Sequence, residues 1–230
     1  PDTIRGQHVT LQMIQDAARF PLFLGAGPGR KSLLWMFESH TDQIKMELPE
    51  DMFRLTDEGI EFIETDINRV KGVNKEKSER FTQAMKNEGI QFPIKNIYGL
   101  PSTSKSKDDG YFMVDNKDDF FHLKMYDGEP QCHKIPLPVG MQVNGMNCLV
   151  DDVNYGYVYD QNYNIYLMRI KDYSFFQLPI YDYKDYGSLI TMSEDLFFYT
   201  YQLYGLDRVK IYVVDKEHNL LASETLVYPL

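Results

Sequence analysis

A few groups of residues have the types and spacings that chemistry needs. His122 and His133 flank Asp127-Gly128. If Asp127-Gly128 is a two-residue hairpin turn, the pairing Tyr126/Glu129 runs on to His122/His133, and both imidazoles lie on one face. Two imidazoles so placed are the beginning of a metal site. The nearby acids lie only in turns and offer no obvious third ligand, so no metal is expected. Residues 25–32 read GAGPGRKS, close to the phosphate loop G-x-x-x-x-G-K-[ST]. Arg30 stands where the second glycine is needed, Pro28 removes an amide donor, and the run after it, residues 33–37, reads as strand and not as the helix whose N-terminus would hold the anion. No nucleotide and no other cofactor is expected.

Acidic pairs and runs at Asp108-Asp109, residues 115–119 and Asp151-Asp152 have the oxygen ligands calcium requires, but their spacing fits no known loop. Asp and Asn are favoured in turns because they cap their own backbone. A carboxylate pair for sugar hydrolysis stays open, since 34 acidic residues always supply some pair and only their separation discriminates. No G-x-S-x-G elbow is present. Cys132 and Cys148 make either one bridge or, as is commoner, two buried thiols. The stretch YDYKDYG at 181–187 places Tyr181, Tyr183 and Tyr186 within six residues of a loop. Such rings present flat amphipathic surface to a protein or a sugar; alternatively, they seal the edge of a core. As a binding surface, at least two of the three should be exposed on one rim.

The elements that position these groups are mainly strands. Hydrophobic residues are 43% of the 230-residue chain, with 17 Tyr and 14 Phe, which suit a pleated, half-buried surface. The net charge of -10 opposes nucleic acid and anionic membrane surfaces, both of which call for Lys/Arg clusters. No apolar run approaches the ~18 residues of a membrane span. A hairpin pattern recurs at residues 33–49, 120–136, 165–179 and 209–226, and three of the four copies end in Leu-Pro or Ile-Pro. Gly110-Tyr111 and Gly156-Tyr157 each open a Gly-aromatic strand that ends in Asp. The ~40–46-residue spacing and four short strands per unit are those of propeller blades. The expected fold is therefore a propeller-like arc of about four such units with one or two short helices. A β-sandwich is the alternative. Residues 1–93 would hold a first helix capped by Thr10, a degenerate first blade and a surface helix at 74–87, capped by Asn74 and ended by Gly89. Residues 94–138, 140–180 and 187–228 would be three further blades, the whole forming one continuous domain. The polar loop 102–109 is expected to be the most mobile.

The stretches LPEDMFRLTDEGIEFIETDINRV, NKEKSERFT, DDGYFMVDN and FFHLKM, with PDTIRG at the start, resemble an uncharacterised family of Bacteroidetes proteins known only as a domain of unknown function. The resemblance implies the extracytoplasmic part of a longer protein in the periplasm or cell envelope, anchored in a membrane through segments outside this chain. It assigns no activity to any residue. The leading expectation is a non-catalytic binding or interaction domain with a protein or carbohydrate partner. A carbohydrate-active enzyme using acidic rim loops, and a structural part of a membrane assembly, are the alternatives.

Overall fold

The computed structural model describes residues 3, 4, 6–13, 22, 23, 32–39, 46–66, 69–181, 183–186 and 189–229. Two compact units emerge: Ala26–Gln161 with Tyr166–Phe176, and Pro1–Gly25 with Asn162–Ile165 and Gln177–Leu230. At the start, β1 (Thr3–Ile4) pairs with β2 (Gln7–His8), and β3 (Leu22–Phe23) joins a sheet made from the far end of the chain. Thr10 Oγ1 accepts from Met13 N at 3.1 Å, the N-cap expected for the helical residues that follow it.

The first sheet is a three-stranded antiparallel meander: β4 (Asp51–Leu55), β5 (Ile60–Asp66) and β6 (Arg69–Asn74). The expected first hairpin at 33–49 is replaced by other pairings. Leu34 bridges Phe53, Glu38 bridges Met125 in parallel, and residues 46–49 form no strand. Residues 40–45 lie outside the described residues.

Helix α1 (Lys75–Asn87) follows at once. Asn74 Oδ1 accepts from Lys77 N at 3.0 Å, and Gly89 ends the helix at φ +93°. Phe81 and Met85 are buried against the sheet, a thin apolar stripe. Two hydroxyls supplement it. Ser78 Oγ accepts from Phe62 N at 2.8 Å, and Thr82 Oγ1 from Ile60 N at 3.1 Å. Strand β6 reaches only as far as Phe62 along β5, so the helix takes over from the missing end of its neighbour. Ser78→Ala leaves the Phe62 N–H buried without an acceptor. It should cost about 1–3 kcal/mol, read as a lower denaturant midpoint at unchanged m-value. A change below about 0.5 kcal/mol would show that the ladder replacement is dispensable.

The second sheet is β7 (Asn96–Gly99), β8 (Tyr111–Val114), β9 (Phe120–Tyr126) and β10 (Glu129–Ile135), in sequence order. Asp127 at φ 52° and Gly128 at φ 76° make the expected two-residue turn. The third sheet repeats the plan with β11 (Val143–Cys148), β12 (Asn154–Asp160), β13 (Ile165–Arg169) and β14 (Phe175–Gln177). One core joins the two: Tyr98, Phe112, Val114 and Phe120 pack with Met146, Tyr155, Val158 and Met168. Burying the face of one meander against the next is the packing that blades require. A second core sets Phe53, Phe62, Phe81 and Met85 against Tyr111, Phe121 and Leu123.

In the other unit a 3-10 turn (Tyr183–Asp185) precedes β15 (Ile190–Glu194), β16 (Tyr199–Tyr204), β17 (Arg208–Val214) and β18 (Leu220–Val227). Strand β3 pairs with the free edge of β15 and makes the sheet five-stranded. The fold is mainly β, built of antiparallel meanders of three or four strands, and the hairpins expected at 120–136, 165–179 and 209–226 are all present. Among the described residues no helix is long and apolar enough to cross a membrane.

Candidate functional site

The register of β9 and β10 places His122 opposite His133, as the turn chemistry requires. The two imidazoles are nonetheless in different environments. His133 is exposed, whereas His122 is fully buried and stacked on Phe112 at 4.2 Å and 11°. His122 Nε2 bonds to the Asp109 carbonyl, which only accepts, so Nε2 carries the proton. The bare Nδ1 accepts from the Tyr173 hydroxyl at 2.9 Å, and the Tyr155 hydroxyl is bonded to that of Tyr173. Both ring nitrogens are thus committed. No cluster of three or more His, Cys, Asp or Glu suited to a metal occurs among the described residues.

Burial pushes the His122 imidazole down from 6.5 to about 3. Below pH 6.5 the unfolded chain binds a proton that the native state refuses. The stability linked to this group is therefore complete above pH 6.5. It falls by up to about 1.4 kcal/mol per pH unit as the pH drops toward 3. Asp108 and Asp109 have the opposite sign: burial raises both carboxyls against the pull of Lys105 and Lys107. Their native forms take up protons first, which offsets part of the loss. Comparing wild type with His122→Gln from pH 7 to 4.5 isolates the histidine. The wild-type denaturant midpoint should fall more steeply with acid; parallel slopes would mean His122 is protonated in the native state.

The loop expected to be mobile is tied down. Lys105 Nζ bonds the Asp108 carboxylate and the Leu100 carbonyl and sits 4.7 Å from the centre of the Phe37 ring. Asp108 Oδ1 accepts from Gly110 N at 2.7 Å. Lys107 Nζ bonds the Asp151 carbonyl, with Asp152 Oδ1 at 3.3 Å and Asp109 Oδ2 at 3.8 Å. Two of the acidic turns considered for calcium are thus brought together, and a lysine ammonium occupies the place of a cation. The third, at 115–119, caps itself: Asp115 Oδ1 accepts from Lys117 N and Asp119 N. The void beside Lys105, Asp108 and Cys148 is only about 10 Å³, room for one water at most. Cys132 and Cys148 are free thiols, both pushed up to about 12 by burial.

The tyrosine loop departs from expectation. Tyr181 is 66% exposed, but Tyr183 is only 6% exposed, at 5.9 Å and 61° to Tyr163. Tyr186 is half-buried, beside Gly205. The 3-10 turn points its first ring inward, so one exposed ring remains and not a two-ring rim. Residues 25–31 of the glycine-rich stretch lie outside the described residues.

A recess that local patterns did not reveal lies in the larger unit. The parallel bridge of Glu38 to Met125 brings residues 36–38 beside the end of β9, and Glu38 Oε1 accepts from Gly128 N at 2.9 Å. Residues 46–51 close the other side, and Lys77 of α1 reaches in from the helix. The space is about 340 Å³. Met36, Met46 and Met125 are its buried apolar lining, with Glu38, Glu47, Glu50 and Asp51 as its acids. Lys77 Nζ lies 2.7 Å from Asp51 Oδ2 and 4.3 Å from the Phe62 ring centre, so Asp51 is neutralised within the fold.

Blade-like meanders and an acidic, methionine-lined recess among the described residues define a β-scaffold domain. A family model described as "Domain of unknown function (DUF4857)" matches residues 1–214, and the chain belongs to that family. Strand β18 lies beyond the match. No curated protein matches the chain.

Proposed function

We propose that this domain is a non-catalytic binding domain, the extracytoplasmic part of a membrane-anchored protein of the cell envelope, and that it engages a protein partner. The observation that supports binding is the recess: a concave space of about 340 Å³ with a soft apolar floor and charged groups at its mouth. Sites that hold small groups combine these features, and methionine adapts its shape to what enters. His122, Lys105, Lys107 and the aspartates beside them are engaged inside the fold, where they position strands and loops. Tyr181, exposed on the other unit, is a separate contact candidate, whereas Tyr183 is buried.

The experiment has two arms. In spheroplasts of cells making the full-length protein, added protease should remove this domain while the remainder pellets with membrane. Protection of the domain in intact spheroplasts overturns the extracytoplasmic assignment. The purified domain should retain a defined partner from detergent-solubilised envelope, and Leu48→Lys at the recess mouth should abolish retention with the melting temperature unchanged. Retention unaffected by Leu48→Lys overturns the recess as the binding site.

A further inference from the structure

The geometry points to a specific occupant for the recess: the side chain of a lysine presented by the partner, an ammonium on an unbranched alkyl stem. This rests on the reading of the recess as a binding site and adds the chemistry of the ligand.

Charge selects a cation. Among the described residues, no cation lies within ion-pair distance of Glu38, Glu47 or Glu50, while Asp51 already has Lys77. Glu38 Oε2 is buried and has no hydrogen-bond partner, although Oε1 of the same carboxylate accepts from Gly128 N. A buried carboxylate oxygen without a donor is a costly arrangement that an entering N–H group relieves.

Shape and fork geometry select lysine. The floor of Met36, Met46 and Met125 is apolar and deformable, suited to four methylenes and unsuited to a sugar, which needs convergent hydrogen-bonding groups. A guanidinium binds carboxylates through a planar fork that uses both oxygens. Glu38 has only one oxygen free, which matches a compact ammonium. Glu47 and Glu50 add long-range attraction at the mouth.

The test is a titration followed through methionine methyl resonances of the purified domain, labelled at the methionine methyls and assigned by single Met→Leu variants. The probes are N-acetyl-lysine-methylamide and n-butylammonium. Both should shift the methyls of Met36, Met46 and Met125 saturably and leave the other eight of the eleven methionines unmoved. N-acetyl-norleucine-methylamide, butyrate and the arginine analogue should bind at least about tenfold more weakly. Glu38→Gln keeps the acceptor for Gly128 N and should weaken the lysine probe about tenfold or more. Glu47→Gln/Glu50→Gln, altered only at exposed side chains, should reduce the salt dependence of binding; this pair keeps the test decisive if Glu38→Gln fails to fold. Equal shifts from butyrate or norleucine, no saturable shift from the lysine probe, or tighter binding of the arginine analogue each overturn the assignment. If the lysine probe fails while partner retention is still lost in Leu48→Lys, the recess is a binding site for another chemistry. If both fail, the binding reading falls with it.

Discussion

Replacing Lys105 with Met should cost about 3–5 kcal/mol of folding stability. The side chains of Lys105 and Asp108 are only 4% and 2% exposed, so solvent does little to screen them. Removing the ammonium strands a carboxylate that burial already drives upward in pKa and that only Lys105 and the Gly110 amide hold down. It also removes one of two donors to the Leu100 carbonyl, which keeps the Ser102 N–H at 2.8 Å. The double variant Lys105→Met/Asp108→Asn removes both charges while Asn keeps an acceptor for the Gly110 N–H. It should recover most of the loss, because a missing pair costs far less than a broken one. Urea unfolding of the three proteins reads the comparison. A single-variant loss below about 1 kcal/mol would show that the pair is effectively solvated and that loop 102–109 is as free as its composition suggests.

Gly110→Ala should cost more than about 3 kcal/mol or prevent folding. A Cβ there would lie 2.3 Å from the Leu123 carbonyl oxygen and 2.8 Å from Lys124 Cα, both backbone atoms that cannot move aside without breaking the β8–β9 ladder. The backbone is also at φ +69°, which adds its own strain for any other residue. Gly128 is the control: its φ is +76°, but no atom lies within 4 Å of the added Cβ. Gly128→Ala should cost only about 1 kcal/mol, the conformational part alone. Gly156, in the equivalent place of the next meander, would set its Cβ 2.3 Å from the Asn147 oxygen at an ordinary φ, and should fall between the two. Equal losses at Gly110 and Gly128, measured by chemical denaturation, would mean that close strand approach is not what requires the glycine.

The parts of this fold that local chemistry decides were legible in the sequence. Asp127-Gly128 sets a two-residue turn and with it the register of β9 and β10, down to the facing of His122 and His133. Asn74 and Gly89 mark α1 at both ends. The Gly-aromatic starts at 110 and 156 identify equivalent strands because both glycines meet a neighbouring backbone. What depends on distant partners was not legible. Residues 33–39 alternate like a strand of a local hairpin, but Leu34 and Glu38 pair with Phe53 and Met125. Ser78 and Thr82 look like polar positions on a weak helix and in fact complete the hydrogen bonding of β5. Nor does composition tell which way a 3-10 turn aims its rings, and Tyr183 is buried. Lys105 and Lys107 lie in a stretch that reads as solvated, and only Leu100, Asp108 and Asp151 reveal their use. The recess draws Met36, Met46 and Met125 from three separate segments, a convergence with no periodic signal, and Glu38 carries no motif of its own.

The most direct test of the central claim is photo-crosslinking from the recess mouth in cells making the full-length protein. A photoreactive phenylalanine analogue at Leu48, which is 57% exposed, should trap one partner protein; the same analogue at Leu206, fully exposed on the other unit, is the background control. The account predicts a discrete adduct from Leu48, absent from Leu206 and lost when Glu38→Gln is added. No adduct from Leu48, or the same adducts from both positions, would contradict it.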